Sequence, residues 1–141
     1  MLKITDTMTL NALLHAILVL KYELGVGDPS VEEICTSPFI SSAANKIYDA
    51  LAEAAHLEGN LSMEQMLLNS RSVATRHNVI DITIQRASLM KSYWTSLSRP
   101  ERERFVLELI SPYDAEKSVV EYMVEAVTSL ASGGGSGQVD S

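Results

Sequence analysis

Apolar residues recur along most of the chain at three- and four-residue intervals, the spacing that gathers them on one side of an α-helix. From about Thr9 to Leu24, Leu10, Leu13, Leu14, Ile17, Leu18, Leu20 and Leu24 cover most of a helical circumference. A helix apolar on nearly every side is expected in the middle of a bundle or in an oligomer interface. Asp6 and Thr7 are available as N-caps, and Gly25 as a stop. Pro29 and Ser30 then open a short helix through Cys35.

After Pro38, Ser41 or Ser42 can cap a helix running to about Leu57, with Gly59 beyond its end. Its stripe of Ile40, Ala44, Ile47, Leu51 and Ala54 is alanine-rich and would let a neighbour approach closely. Ser62 and Gln65 have capping-box spacing and start a long helical region to about Leu97, with a break near His77-Asn78. Within it, Val79 to Ile84 is heavily β-branched and locally strand-like. Helical spacing continues through Leu89, Met90, Tyr93 and Trp94, so helix is assigned.

Ser98 and Glu101 form a second capping box, with Pro100 in the first turn of a short helix ending near Ile110. The last helix is expected from Ser111-Pro112 through Val119, Val120, Met123, Val124, Val127 and Leu130, ending at Gly133. The pattern predicts an all-α fold, a compact bundle of about five or six helices with short connections. Residues 1–131 are read as a single all-helical domain and 132–141 as a flexible Gly/Ser-rich tail.

Composition narrows the class. The chain has 141 residues, 46% of them hydrophobic and 21% charged, which suits a domain with a true core and not a disordered segment. The single cysteine, Cys35, rules out an intrachain disulfide. The most apolar stretch, Leu10 to Leu20, is interrupted by Asn11 and His15 and closed by Lys21, too short for a membrane span. The first residues lack the charged and apolar regions of a signal peptide. A cytoplasmic protein with no membrane association is expected.

Charge is unevenly spread. The net charge is -7, yet residues 71–104 hold seven cations against three acids, and every arginine of the chain lies there. On a continuous helix, Arg76 and Arg86 would be about 80° apart around the axis. Arg71, Arg76, His77, Arg86 and Lys91 are therefore candidate contacts for an anion or nucleic acid, with Trp94 placed to stack on a base. The competing expectation is that these arginines pair with the acidic first and last thirds of the chain.

Other constellations are thinner. Glu53 and His56 have the i, i+3 spacing of carboxylate-bridged metal sites, with Asp49 one turn earlier, but no second such pair exists. They are weak metal candidates beside a solvated polar face. His15 shares a narrow polar stripe with Asn11 and Tyr22 and is expected to be a hydrogen-bonded core histidine. Nucleophile elbows, phosphate loops and dinucleotide fingerprints are absent.

These features predict a non-enzymatic interaction or assembly subunit, without a cofactor, that self-associates or docks with other protein subunits. The alternative is a nucleic-acid-contacting coat or accessory protein using the arginine-rich segment. A metal-binding helical bundle is the third reading.

Overall fold

Most of the helices begin where a short polar side chain satisfies the free N–H groups of a first turn. The computed structural model describes residues 6–136. In it Asp6 caps α1 (Thr7–Tyr22), Asp28 caps α2 (Pro29–Cys35) and Ser37 caps α3 (Pro38–Leu57). Asn60 caps α4 (Leu61–Asn69), two residues ahead of the expected cap at Ser62. A 3-10 turn (Val73–Thr75) follows, then α5 (His77–Ser88) and α6 (Lys91–Thr95). The Ser98–Glu101 capping box opens α7 (Arg99–Ile110), and α8 spans Lys117–Ser136.

The described residues are all-helical, with eight α-helices where five or six were expected. The added helices come from the region expected to run unbroken but for one break, from Ser62 to Leu97. It breaks first between Ser70 and Arg76, just ahead of the expected point. There Val73 N–H donates to the Asp114 carbonyl (2.9 Å), and Asp114 N–H donates to the Arg71 carbonyl (2.6 Å). These long-range bonds, and full burial of Val73, replace what continued helix would supply. The second break, at Leu89-Met90, lets α6 carry Trp94 into the core.

Other boundaries differ as well. The cap of α3 is Ser37, about one turn before the expected Ser41 or Ser42, with Pro38 in the first turn. Ser111, Pro112 and Tyr113 are buried in the connection between α7 and α8 and do not open the last helix. Residues 132–136 of the expected tail belong to α8, and 137–141 lie outside the described residues. The stop after α3 is as the glycine foretells. Gly59 has φ of 73°, while Gly59 N–H and Asn60 N–H donate back to His56 and Ala55 carbonyls. This is the Schellman arrangement, which favours glycine because an L side chain is strained there.

Packing forms two apolar clusters. One joins α5, α7 and α8 around Val106, Ile110, Met123, Val127 and Trp94. The other joins α1 to α3 through Leu10, Leu14, Ala44, Tyr48 and Leu51, with Leu67 of α4 at its margin. α3 lies against both α1 and α4.

Candidate functional site

The arginines do not share a face. Arg71 and Arg76 precede α5 in the break, whereas Arg86 lies on its buried side. Arg71 donates to the Asp49 carboxylate (2.7 Å), the Asn45 side chain (2.9 Å) and the Pro112 carbonyl (3.0 Å). It also stacks over Tyr48. Arg86 is 1% exposed and meets both oxygens of Glu32, Nε to Oε1 at 2.6 Å and Nη2 to Oε2 at 3.2 Å. Its Nη1 donates to the Lys21 carbonyl at 2.6 Å.

Trp94 is fully buried, with Nε1–H donating to Thr128 Oγ1 and Arg102 lying over its ring. That ring has no face open for base stacking, because core packing has claimed it. His77 and Lys91 are exposed and form no ion pair among the described residues. Of the candidate anion contacts, only Arg76 combines partial exposure with a cavity.

Beside Arg86 sits a second buried cation that the periodic pattern obscured. Lys21 is fully buried, donating to the Ser111 carbonyl (2.6 Å) and Ser41 Oγ (3.3 Å). Tyr22 OH donates to the same Ser111 carbonyl (3.0 Å) and to Leu109 (2.8 Å), satisfying carbonyls at the C-terminus of α7. Burial lowers the Lys21 pKa to about 8. Cys35 counters the fall, Arg86 adds to it and Glu108 counters it. Burial likewise raises the Cys35 thiol. A sequence signal existed, since Lys21 continues the register of buried Leu10 and Leu14 and partly buried Ile17 on α1.

The metal candidates turn elsewhere. Asp49 binds Arg71, His56 Nδ1 lies 3.0 Å from Glu64 Oε1, and Glu53 is exposed. Among the described residues no three His, Cys, Asp or Glu side chains gather at metal-binding distance. His15, expected in the core, is exposed, because the buried side of α1 is the one carrying Leu10, Leu14 and Lys21.

Two surfaces remain. α4 contains five apolar residues among nine, yet buries none of its residues. Leu61 is 68% exposed, Met66 56% and Leu68 50%, and Leu57 at the end of α3 adds to this area. Glu64 is the helix's one ionisable side chain, and it is held toward His56. The exposed part of α1 also carries Met8 and Leu13, and Thr7 to Leu20 contains no Asp, Glu, Lys or Arg.

The second surface is a cleft of about 360 Å³ between α1 and the start of α5. Buried Leu14, Tyr22, Tyr48, Val79 and Tyr113 form its floor; Asn11, His15, Glu23 and Asn78 stand at its exposed rim. The polar stripe of Asn11, His15 and Tyr22 recognised in the sequence therefore lines a cavity. Arg76 completes the wall, 4.7 Å from the Tyr113 ring centre, with Nε–H donating to the Ser70 carbonyl (3.3 Å). Ser70 Oγ donates to the Leu67 carbonyl, so the Tyr48 hydroxyl donates to Ser70 Oγ.

No helix among the described residues is long and apolar enough to cross a membrane. Compared with known protein families, with characterised proteins and with solved structures, the chain matches none.

Proposed function

We propose that the protein is a non-enzymatic helical interaction subunit that self-associates, using α4 and the adjoining end of α3 as its contact surface. The observation that carries this reading is α4 itself, a helix rich in leucine and methionine that buries none of its residues. These exposed residues fall on two flanks of the helix, Leu61 and Leu68 on one and Met63 and Met66 on the other, and exposed apolar area of this extent mostly marks contact with another molecule. Methionine suits such a surface because its flexible thioether adapts to a partner.

A second copy is the favoured occupant for an electrostatic reason. The chain carries a net charge of -7, so copies repel over most orientations. Within α4 the one carboxylate, Glu64, is held by His56, which lessens like-charge contact when two copies meet along this helix.

Sedimentation velocity over a range of concentrations tests the proposal. The expected result is a sedimentation coefficient that rises with concentration toward a dimer. Met66→Lys combined with Leu68→Lys should remove that rise while leaving the circular dichroism spectrum unchanged. A chain that stays monomeric at millimolar concentration sinks the reading, as does association indifferent to this double substitution.

The nucleic-acid alternative has less behind it. Arg71 and Arg86 spend their donors on internal acceptors, and Trp94 is enclosed.

A further inference from the structure

Arg76 is the chain's one arginine that lines the cleft, and it is only partly used by the fold. Its Nε–H is taken by the Ser70 carbonyl, and its plane lies against Tyr113. These two contacts fix the direction of the guanidinium. Its terminal nitrogens donate to no acceptor among the described residues. A guanidinium held in place with two free amino groups is suited to a planar, two-oxygen anion.

A second donor stands in the same wall. Tyr113 is 7% exposed and lines the cleft, yet its hydroxyl bonds to no described residue. The hydroxyl oxygen itself keeps contact with solvent, since Thr83 Oγ1 is the buried side-chain polar atom left without a partner among the described residues, and it is therefore free to donate to a ligand in the cleft. Burial raises the Tyr113 pKa and Arg76 only partly offsets this, so the hydroxyl stays protonated and able to donate at neutral pH.

The rest of the lining is mixed, and Leu14, Leu18, Val79 and the Tyr22 ring supply an apolar side for the body of a small ligand. Its volume lies at the lower end of the range for small-molecule sites. The Glu23 carboxylate at the rim disfavours a ligand of several negative charges. The amides of Asn11 and Asn78 and the ring of His15 offer the remaining polar contacts.

We propose that this cleft binds a small monoanionic carboxylate with an aromatic or apolar body. The carboxylate would sit on the Arg76 guanidinium and Tyr113 hydroxyl, and the body against the tyrosine-lined floor. The cleft meets α4 at Leu67, a partly buried residue that is not one of the exposed side chains assigned to self-association, and its test does not depend on self-association.

The experiment is a titration of isotope-labelled full-length protein, followed by amide chemical shifts, with phenylacetate as the probe. Saturable shifts are expected at residues 76–79 and 11–15, with a Kd on the order of 1 mM for so small a ligand. Phenylacetamide has the same shape without the charge, and should bind at least tenfold more weakly. Arg76→Gln should weaken phenylacetate at least tenfold, with the remaining amide spectrum unchanged. Should that variant fail to fold, Tyr113→Phe, which keeps the ring, should weaken binding about three- to tenfold for the loss of one hydrogen bond to a charged group. Inorganic phosphate should shift the same amides less at equal concentration. The proposal is overturned if phenylacetate produces no saturable shift by 20 mM. It is equally overturned if the amide or phosphate binds as well as phenylacetate, or if neither substitution weakens binding.

Discussion

Arg86 and Glu32 meet as a two-pronged ion pair inside the protein, two guanidinium nitrogens against two carboxylate oxygens, with a second cation, Lys21, bonded through its carbonyl to the same guanidinium. The arrangement joins α1, α2 and α5, and its stability depends on every partner being present.

Glu32→Gln should therefore be strongly destabilising. It leaves Arg86 buried, charged and without its counter-ion, beside another buried cation. Breaking a buried pair from one side typically costs about 3–5 kcal/mol. The double substitution Glu32→Gln with Arg86→Met removes the stranded charge and should recover part of that loss. Urea denaturation measures both. A cost below about 1 kcal/mol for the single variant would show that the pair contributes little.

Lys21 should make stability rise with alkaline pH. Its folded pKa of about 8 lies below the ordinary 10.5, so between these values the unfolded chain holds the proton and the folded one does not. Unfolding then takes up a proton, and stability increases with pH across that window. Cys35 and Tyr22 are raised by burial and act oppositely above their ordinary values, so the clean measurement is a difference. Lys21→Met lacks the rise, and its stability relative to the parent should fall by on the order of 3 kcal/mol between pH 7 and 10.5. Because Tyr22 still donates to the Ser111 carbonyl, the substitution leaves that acceptor satisfied. Parallel pH curves for parent and variant would contradict the depressed pKa.

Trp94 supplies a spectroscopic check. As the single tryptophan, and fully buried, it should emit at short wavelength and resist quenching by acrylamide. Single-stranded oligonucleotides should leave the emission unchanged, since no base can reach the ring. Trp94→Ala should cost about 3–5 kcal/mol, because it empties the core between α5, α7 and α8. Strong oligonucleotide quenching in the folded protein would revive the base-stacking role.

The α4 substitutions should separate association from folding. Met66 and Leu68 are half exposed, so replacing either with lysine should change monomer stability by no more than about 0.5 kcal/mol. Thermal unfolding of dilute, monomeric samples checks this. A large loss would mean that these side chains support the fold and would remove the reason for assigning them to a partner.

Local signals were legible where neighbours in sequence make the structure. The Pro29–Cys35 helix, the Ser98–Glu101 capping box and the Gly59 stop each depend on hydrogen bonds reaching no more than a few residues. The β-branched Val79 to Ile84 stretch is helical within α5, as its continuing three- and four-residue spacing indicated. The break after α4 was less legible, because Val73 and Arg71 are paired with Asp114, some forty positions away.

The same distinction divides the charged residues. From the sequence alone came the all-helical class, most helix ends, the arginine concentration and the polar stripe of Asn11, His15 and Tyr22. These are matters of composition and period, carried by each segment on its own. Only the tertiary structure decided that Arg86 and Lys21 are interior while Arg76 lines a cleft, and that Leu61, Met66 and Leu68 of α4 stay exposed. A cation's position is governed by which carboxylate, carbonyl or ring reaches it across the fold, and burial raises the strength of those contacts along with the penalty for lacking them. No local spacing contains that information, because the partners are brought together only when the helices pack.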